Sequence, residues 1–156
     1  MVKTLKISSA DPNQTTALGK SIAQHLRSRD VILLEGQIGG GKTHFARSVI
    51  LALLDEPEGV PSPTFTLVQT YHTQPCEIWH CDLYRLSHPD EVFELGLVDA
   101  FSESICLIEW PDRLGDLRPN SALTIEFAAC DVPEHRYITA RWTDPRWDFL
   151  EGSLDV

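Results

Sequence analysis

An α/β domain with a mixed parallel and antiparallel central sheet is predicted by three features of this 156-residue sequence. Two short, almost wholly apolar runs, Val31–Glu35 (VILLE) and Ile105–Glu109 (ICLIE), read as strands buried on both faces. In the first half, segments with helical apolar spacing are interleaved with such runs. In the second half, paired alternating segments suggest hairpins. The length fits one domain over residues 1–156, with 42% hydrophobic and 23% charged residues, an ordinary globular composition.

Taken in chain order, Val2–Ile7 alternates weakly and is expected at a sheet edge. Asp11 or Asn13 would cap a helix running to about Leu26, with Leu18, Ile22 and Leu26 on one face. Val31–Glu35 is followed at once by a glycine-rich stretch. Lys42–Leu54 is a second helix whose apolar stripe is Phe45, Ala46, Val49, Ile50 and Leu53. Asp55–Pro63 (DEPEGVPSP) is a loop. Thr64–Tyr71 and Glu77–Asp82 read as strands joined by a short turn. Ser87 to Asp90 has the form of a capping box with Pro89 in the first turn, opening a short helix that ends at Gly96. After Ile105–Glu109, a loop carries Arg113 and Arg118. Ala122–Phe127 and Tyr137–Trp142 form a terminal hairpin. Trp142 and Trp147 have no evident role in this pattern.

The glycine-rich stretch carries the chemistry. Gly36-Gln-Ile-Gly-Gly-Gly41-Lys42-Thr43 matches G-x-x-x-x-G-K-[ST] throughout, and it sits between a strand pattern and a helix pattern as the motif requires. Glycines let the backbone curl so that successive N–H groups face phosphate oxygens, and the helix behind adds its positive end. Lys42 would reach the β- and γ-phosphates and the Thr43 hydroxyl would ligate Mg²⁺. Such a site needs an acid at the end of a buried strand. Glu109 fits best, and Asp82, ending EIWHCD, is the second candidate. The fold expected is therefore a P-loop NTPase-like three-layer domain. No guanine-reading NKxD motif, no LSGGQ signature and no arginine-rich helical lid is present in the sequence. The last argues against a small-molecule kinase, which must exclude water from its acceptor.

Around this loop, the ordered motifs Thr15-Thr-Ala-Leu-Gly19, Ser62-Pro-Thr-Phe-Thr66, His80-Cys-Asp-Leu-Tyr-Arg85, Glu94-Leu-Gly-Leu97 and Glu109-Trp-Pro111 resemble the TsaE (YjeE) family, small P-loop ATPases of bacterial tRNA threonylcarbamoyladenosine synthesis. The resemblance runs from about Thr15 to Arg141. It implies that Lys42 and the amides of Gln37, Gly39, Gly40, Gly41, Thr43 and His44 hold the phosphates of ATP. Thr43 and Glu109 would sit on Mg²⁺, with Asp82 near the attacking water or the metal. It further implies Thr64 close to the γ-phosphate, Thr15 by the adenine and Trp110 beside the nucleotide. Hydrolysis in the family is weak alone and serves partners of the TsaD and TsaB type. Two positions depart from the family, Gln37 where Asp is usual and His44 where a second Thr is common. Binding should survive both, and the departures should act on the hydrolysis rate.

Other residues admit plainer accounts. His80 reads as a satisfied strand histidine. Arg85 could sense the γ-phosphate or pair with an acid such as Glu94, and Trp110 could stack on a base or pack the core. Arg136, in the hairpin turn, is a candidate nucleotide contact beside the simpler account of a solvated charge. The alternatives to an ATPase are a nucleotide-switch binding module with negligible turnover and, further off, a small-molecule kinase.

The formal charge of −10 is divided unevenly: +4 over residues 1–50, which hold the phosphate loop, and −14 over residues 51–156. Such a chain is expected to repel RNA and anionic membranes and to serve tRNA modification through protein partners. With no apolar run near the ~18 residues of a membrane helix and no apolar segment after the first lysines, a cytoplasmic setting is expected. Cys76, Cys81, Cys106 and Cys130 would then be reduced, and their spacing with His80 fits no zinc pattern.

Overall fold

The computed structural model describes residues 1–37, 41–54, 59–60, 63, 67–73 and 76–152. Seven strands form one sheet: β1 (Lys3–Ser9), β2 (Val31–Gly36), β3 (Val68–His72), β4 (Glu77–Asp82), β5 (Ile105–Glu109), β6 (Leu123–Ala129) and β7 (Arg136–Trp142), in the order β1-β7-β6-β2-β5-β4-β3. The four central strands, β6, β2, β5 and β4, are parallel. The flanking pairs β3–β4, β6–β7 and β1–β7 are antiparallel. The mixed α/β sheet predicted from sequence is thus present, with β1 at an edge.

Alternation along the central strands explains the layers. Ile32 and Leu34 of β2, with Ile105 and Leu107 of β5, face a core shared with Leu18, Ile22, Phe45, Val49 and Ile50. Those five belong to helices α1 (Pro12–Ala23) and α2 (Lys42–Leu53). Val31 and Leu33, with Cys106 and Ile108, face a second core completed by Val92, Leu97 and Leu114. These come from the short helices α3 (Asp90–Glu94) and α4 (Leu97–Ala100) and the 3₁₀ segment Pro111–Leu117. A strand buried on both faces needs apolar residues at every position, and all five residues of β5 are buried.

Several expectations are corrected in detail. The first helix stops at Ala23, three residues before the predicted end, and Asp11 is its cap, its carboxylate accepting from the Gln14 N–H at 3.1 Å. The Ser87 hydroxyl does not cap a helix but bonds the Glu91 carboxylate at 3.0 Å, and Pro89 occupies the N-cap. Gly96, with φ 80°, ends the short helix as predicted, just past the C-cap Leu95, and its left-handed turn leads the chain into α4. The loop expected around Arg113 is the 3₁₀ segment, and Arg118 at its end bonds Glu35 at 3.0 Å. The third strand begins at Val68 where Thr64 was expected, and residues 64–66, like most of the Asp55–Pro63 loop, lie outside the described residues.

Candidate functional site

In a parallel sheet the strands all end on one side, and the chain turns there into helices or loops. Here the carboxyl ends of β2, β4 and β5 bring Gly36, Asp82 and Glu109 to the same edge, Asp82 lying in register with Glu109. Gly36 leaves β2 at φ 139°, and an added Cβ would lie 2.5 Å from the Phe127 carbonyl oxygen of β6, so this close approach requires glycine. Gly41 caps α2 at φ 108°, again a conformation for glycine. The α2 amides that follow have no partner inside the helix and point, with its dipole, toward this edge.

Lys42 and Thr43 open α2. The Thr43 hydroxyl lies 2.8 and 3.0 Å from the two oxygens of Glu109, one hydrogen shared between two acceptors. Glu109 is 2% exposed, and its Oε2 also accepts from Nε2 of His80 at 2.8 Å. His80 is fully buried, and its Nδ1 has no partner among the described residues. Lys42 is 4% exposed, with Nζ 2.5 Å from the Gly36 carbonyl oxygen and 3.7 Å from the centre of the Trp110 ring. Burial pulls its ammonium below the usual lysine range, and the charges of Glu109, Asp82 and Asp112 push the other way. Desolvation wins because, among the described residues, no carboxylate forms an ion pair with it.

Trp110 follows β5 in the left-handed conformation at φ 59°, a costly one for a bulky residue. That turn swings its ring over Lys42 and against Tyr84, whose ring centre is 4.8 Å away. Asp82 is buried and accepts the Tyr84 N–H at 3.0 Å, which fixes its carboxylate beside Glu109.

The predicted site residues fall into two groups. Thr43 contacts Glu109 and Lys42 contacts Trp110, with Asp82 in register beside Glu109 and Gly41 at the helix cap. Thr15 is buried on α1, 2.8 Å from the Ser9 hydroxyl, and Ser9 is in register with Arg136, so these three gather at the outer part of the same sheet edge. His44 links the groups: its Nε2 is 2.8 Å from the Thr16 hydroxyl and 3.0 Å from the Pro12 carbonyl oxygen. Its side chain therefore ties α2 to α1, leaving its backbone N–H at the helix end. Gln37 is exposed just after β2. Gly39, Gly40 and Thr64 lie outside the described residues. Sequence reasoning missed the pairing of His80 with Glu109. Period-two alternation places residues 80 and 82 on one strand face, but only the pairing of β4 with β5 brings Glu109 to it.

The geometry suits a phosphate with its counter-ion. A buried ammonium, a helix amino end and glycine turns address an anion. A hydroxyl and carboxylates, oxygen donors only, suit a hard divalent cation such as Mg²⁺. The shared Thr43 hydrogen shows that this hydroxyl and Glu109 can address a single point.

The family model described as "Threonylcarbamoyl adenosine biosynthesis protein TsaE" matches residues 9–138. The chain is 39% identical over 142 residues to the tRNA threonylcarbamoyladenosine biosynthesis protein TsaE of Rickettsia felis, covering 90% of this chain and 83% of that one. It is 40% identical over 118 residues to the protein of that name in Rickettsia bellii, covering 76% and 82%. It is 34% identical over 150 residues to the one in Bacillus subtilis, covering 96% and 92%. The crystal structure of Bacillus subtilis YdiB superposes with a TM-score of 0.75 at 30% identity, covering 99% of this chain and 95% of that one.

Proposed function

The chain belongs to the TsaE family, and from that premise we propose that it is a Mg²⁺-dependent ATPase, weak alone, that acts with TsaD- and TsaB-type proteins in tRNA threonylcarbamoyladenosine modification. The observation that carries the reading is the Thr43 hydroxyl against the Glu109 carboxylate directly behind Lys42 at the amino end of α2. The whole chain, residues 1–156, acts as one ATPase domain in a cytoplasmic setting.

Each residue then has a task. ATP enters as substrate, and the Lys42 ammonium leaves the Gly36 carbonyl and the Trp110 ring for the β- and γ-phosphate oxygens. The amides at Gln37, Gly39, Gly40, Gly41 and the start of α2 bind the remaining phosphate oxygens. Thr43 and Glu109, with Asp82 beside them, would hold Mg²⁺, which when bound neutralises phosphate charge. Asp82 or Gln37 orients the attacking water. As that water's oxygen bonds to the γ-phosphorus, the bond to the bridging oxygen of ADP breaks. Trp110 lies beside the nucleotide, Thr15 by the adenine, Arg136 contacts the nucleotide, and Thr64 approaches the γ-phosphate. The useful output is the conformational change on losing that phosphate, passed to the protein partners.

Phosphate release measured with and without TsaD- and TsaB-type proteins tests the reading. Stimulated release by wild type, and its absence in Lys42→Ala with calorimetrically lost ATP affinity, are the expected results. Unchanged ATP affinity in Lys42→Ala would remove the site assignment. No turnover under any condition would leave a nucleotide switch, and labelled γ-phosphate on a metabolite would make the protein a kinase.

A further inference from the structure

His80 has no task in that account, yet it is the one fully buried histidine in contact with the site. It lies on β4 in register with Leu107 of β5, so its side chain shares a sheet face with Glu109 two residues further on. Glu109 is therefore held from two directions: by Thr43 of α2 and by His80 of β4.

The two contacts differ in what they can fix. The Thr43 hydroxyl has one hydrogen and lies 2.8 and 3.0 Å from the two carboxylate oxygens, so alone it does not choose between them. The imidazole is rigid, walled in on all sides, and its 2.8 Å contact is to Oε2. A carboxylate oxygen only accepts, so Nε2 carries the hydrogen. The neutral tautomer that leaves no N–H stranded at the unpartnered Nδ1 is the Nε2–H form. A histidine serving only to fill the layer has no need of a bare nitrogen in dry surroundings, and an aliphatic side chain would fill it at lower cost.

We propose that His80 is a positioning residue: its Nε2–H occupies Oε2 of Glu109 and so aims Oε1, together with the Thr43 hydroxyl, at the divalent cation. The inference rests on the Mg²⁺ reading of the site. It assigns the cation's carboxylate orientation to the neighbouring strand, and it leaves the unused oxygen neutralised by a donor, with no bare negative charge behind the bound ion.

Mg²⁺ binding, followed by calorimetry on protein saturated with ADP, is the test. Nε2 of histidine is matched in place by the amide nitrogen of glutamine, while the amide of asparagine reaches only the Nδ1 position. His80→Leu and His80→Asn are expected to raise the Mg²⁺ dissociation constant about tenfold, the usual scale for the partner of a metal ligand. ADP affinity in EDTA should stay within about twofold, as for an independent site. His80→Gln should recover most of the Mg²⁺ affinity. Unchanged Mg²⁺ affinity in His80→Leu, or a glutamine variant no better than the asparagine one, overturns the proposal. If the leucine variant does not fold, the glutamine and asparagine variants decide. Glu109→Gln separates the two layers of inference. If Glu109→Gln weakens Mg²⁺ and the His80 variants do not, His80 alone is wrong. If Glu109→Gln has no effect, the metal assignment falls and this proposal with it.

Discussion

The two ends of β2 both hold buried charge, and they hold it in opposite ways. At its start, Asp30 is 6% exposed and meets Arg146 through two contacts, at 3.1 and 2.6 Å. Arg146 also donates to the His25 carbonyl, and the Asp30 carboxylate accepts the Arg27 N–H at 2.9 Å. The guanidinium lies against Trp147 and Phe149. Every charge has its counter-charge, and the 3₁₀ segment Pro145–Glu151 is clasped to the sheet. At the far end of β2, Lys42 is as buried but rests on a carbonyl oxygen and an aromatic face, both neutral. Complementary pairs close a structure, whereas a buried cation with no carboxylate partner among the described residues marks a place kept for an incoming anion.

Substituting the same residue at both ends gives the sharpest contrast. Lys42→Met keeps the aliphatic stem and removes the desolvated ammonium. ATP affinity, measured by calorimetry, is expected to fall about 100-fold, equivalent to about 2.7 kcal/mol, the scale of a charge-assisted bond to phosphate. The melting temperature without nucleotide should be equal or higher, because the burial cost disappears with the charge. A marked drop in melting temperature would mean that Lys42 is structural and would break the comparison.

Arg146→Met should do the reverse. It strands Asp30 at a buried position, where breaking a pair costs about 3–5 kcal/mol at full burial. The Arg146 side chain is 18% exposed and Asp30 keeps the Arg27 N–H, so about 2 kcal/mol is expected. For a chain of this size that lowers the melting temperature by about 4–8 °C, measurable by calorimetric scan. ATP affinity should be unaffected.

The legibility of the two ends differs for the same physical reason. Ile105–Glu109 and Lys42–Leu53 were readable because local periodicity reports the burial of a strand or helix, and the phosphate loop because glycine and lysine at fixed offsets are demanded by backbone geometry. The acids Asp82 and Glu109 followed from their places at strand ends. The clasp was not readable. Arg146 finds Asp30 across 116 residues of chain, and Trp147 sends its indole N–H to the Ser121 carbonyl at 2.8 Å. No local pattern encodes either contact, which exists only once β6 and β7 have closed the sheet. The His80–Glu109 bond was hidden similarly, since it depends on which strand lies beside β5. Trp110 was half-legible: its proximity to the site came from resemblance, but the left-handed turn that lays it over Lys42 has no sequence signal.

A smaller test lies within the clasp itself, which has an exposed margin as well as a buried pair. Asp148 accepts the Trp142 indole N–H at 2.9 Å and meets Lys3 at 3.1 Å, both charged side chains being 38% exposed. The indole bond first, and the Lys3 ammonium second, hold the Asp148 carboxyl below its ordinary range. A carboxyl whose pKa is lower in the folded chain stabilises it above the unfolded value, about 3.9, and that contribution disappears as the pH falls through the folded value. Asp148→Asn should therefore lower the melting temperature slightly at pH 7 and match wild type near pH 2. Water and salt screen the ion pair with Lys3, so most of the difference should survive in high salt, carried by the bond to the buried Trp142 indole. A difference that vanished with salt would put the anchoring in the ion pair. A wild-type advantage persisting at the lowest pH would show that the side chain acts there by packing and not by charge.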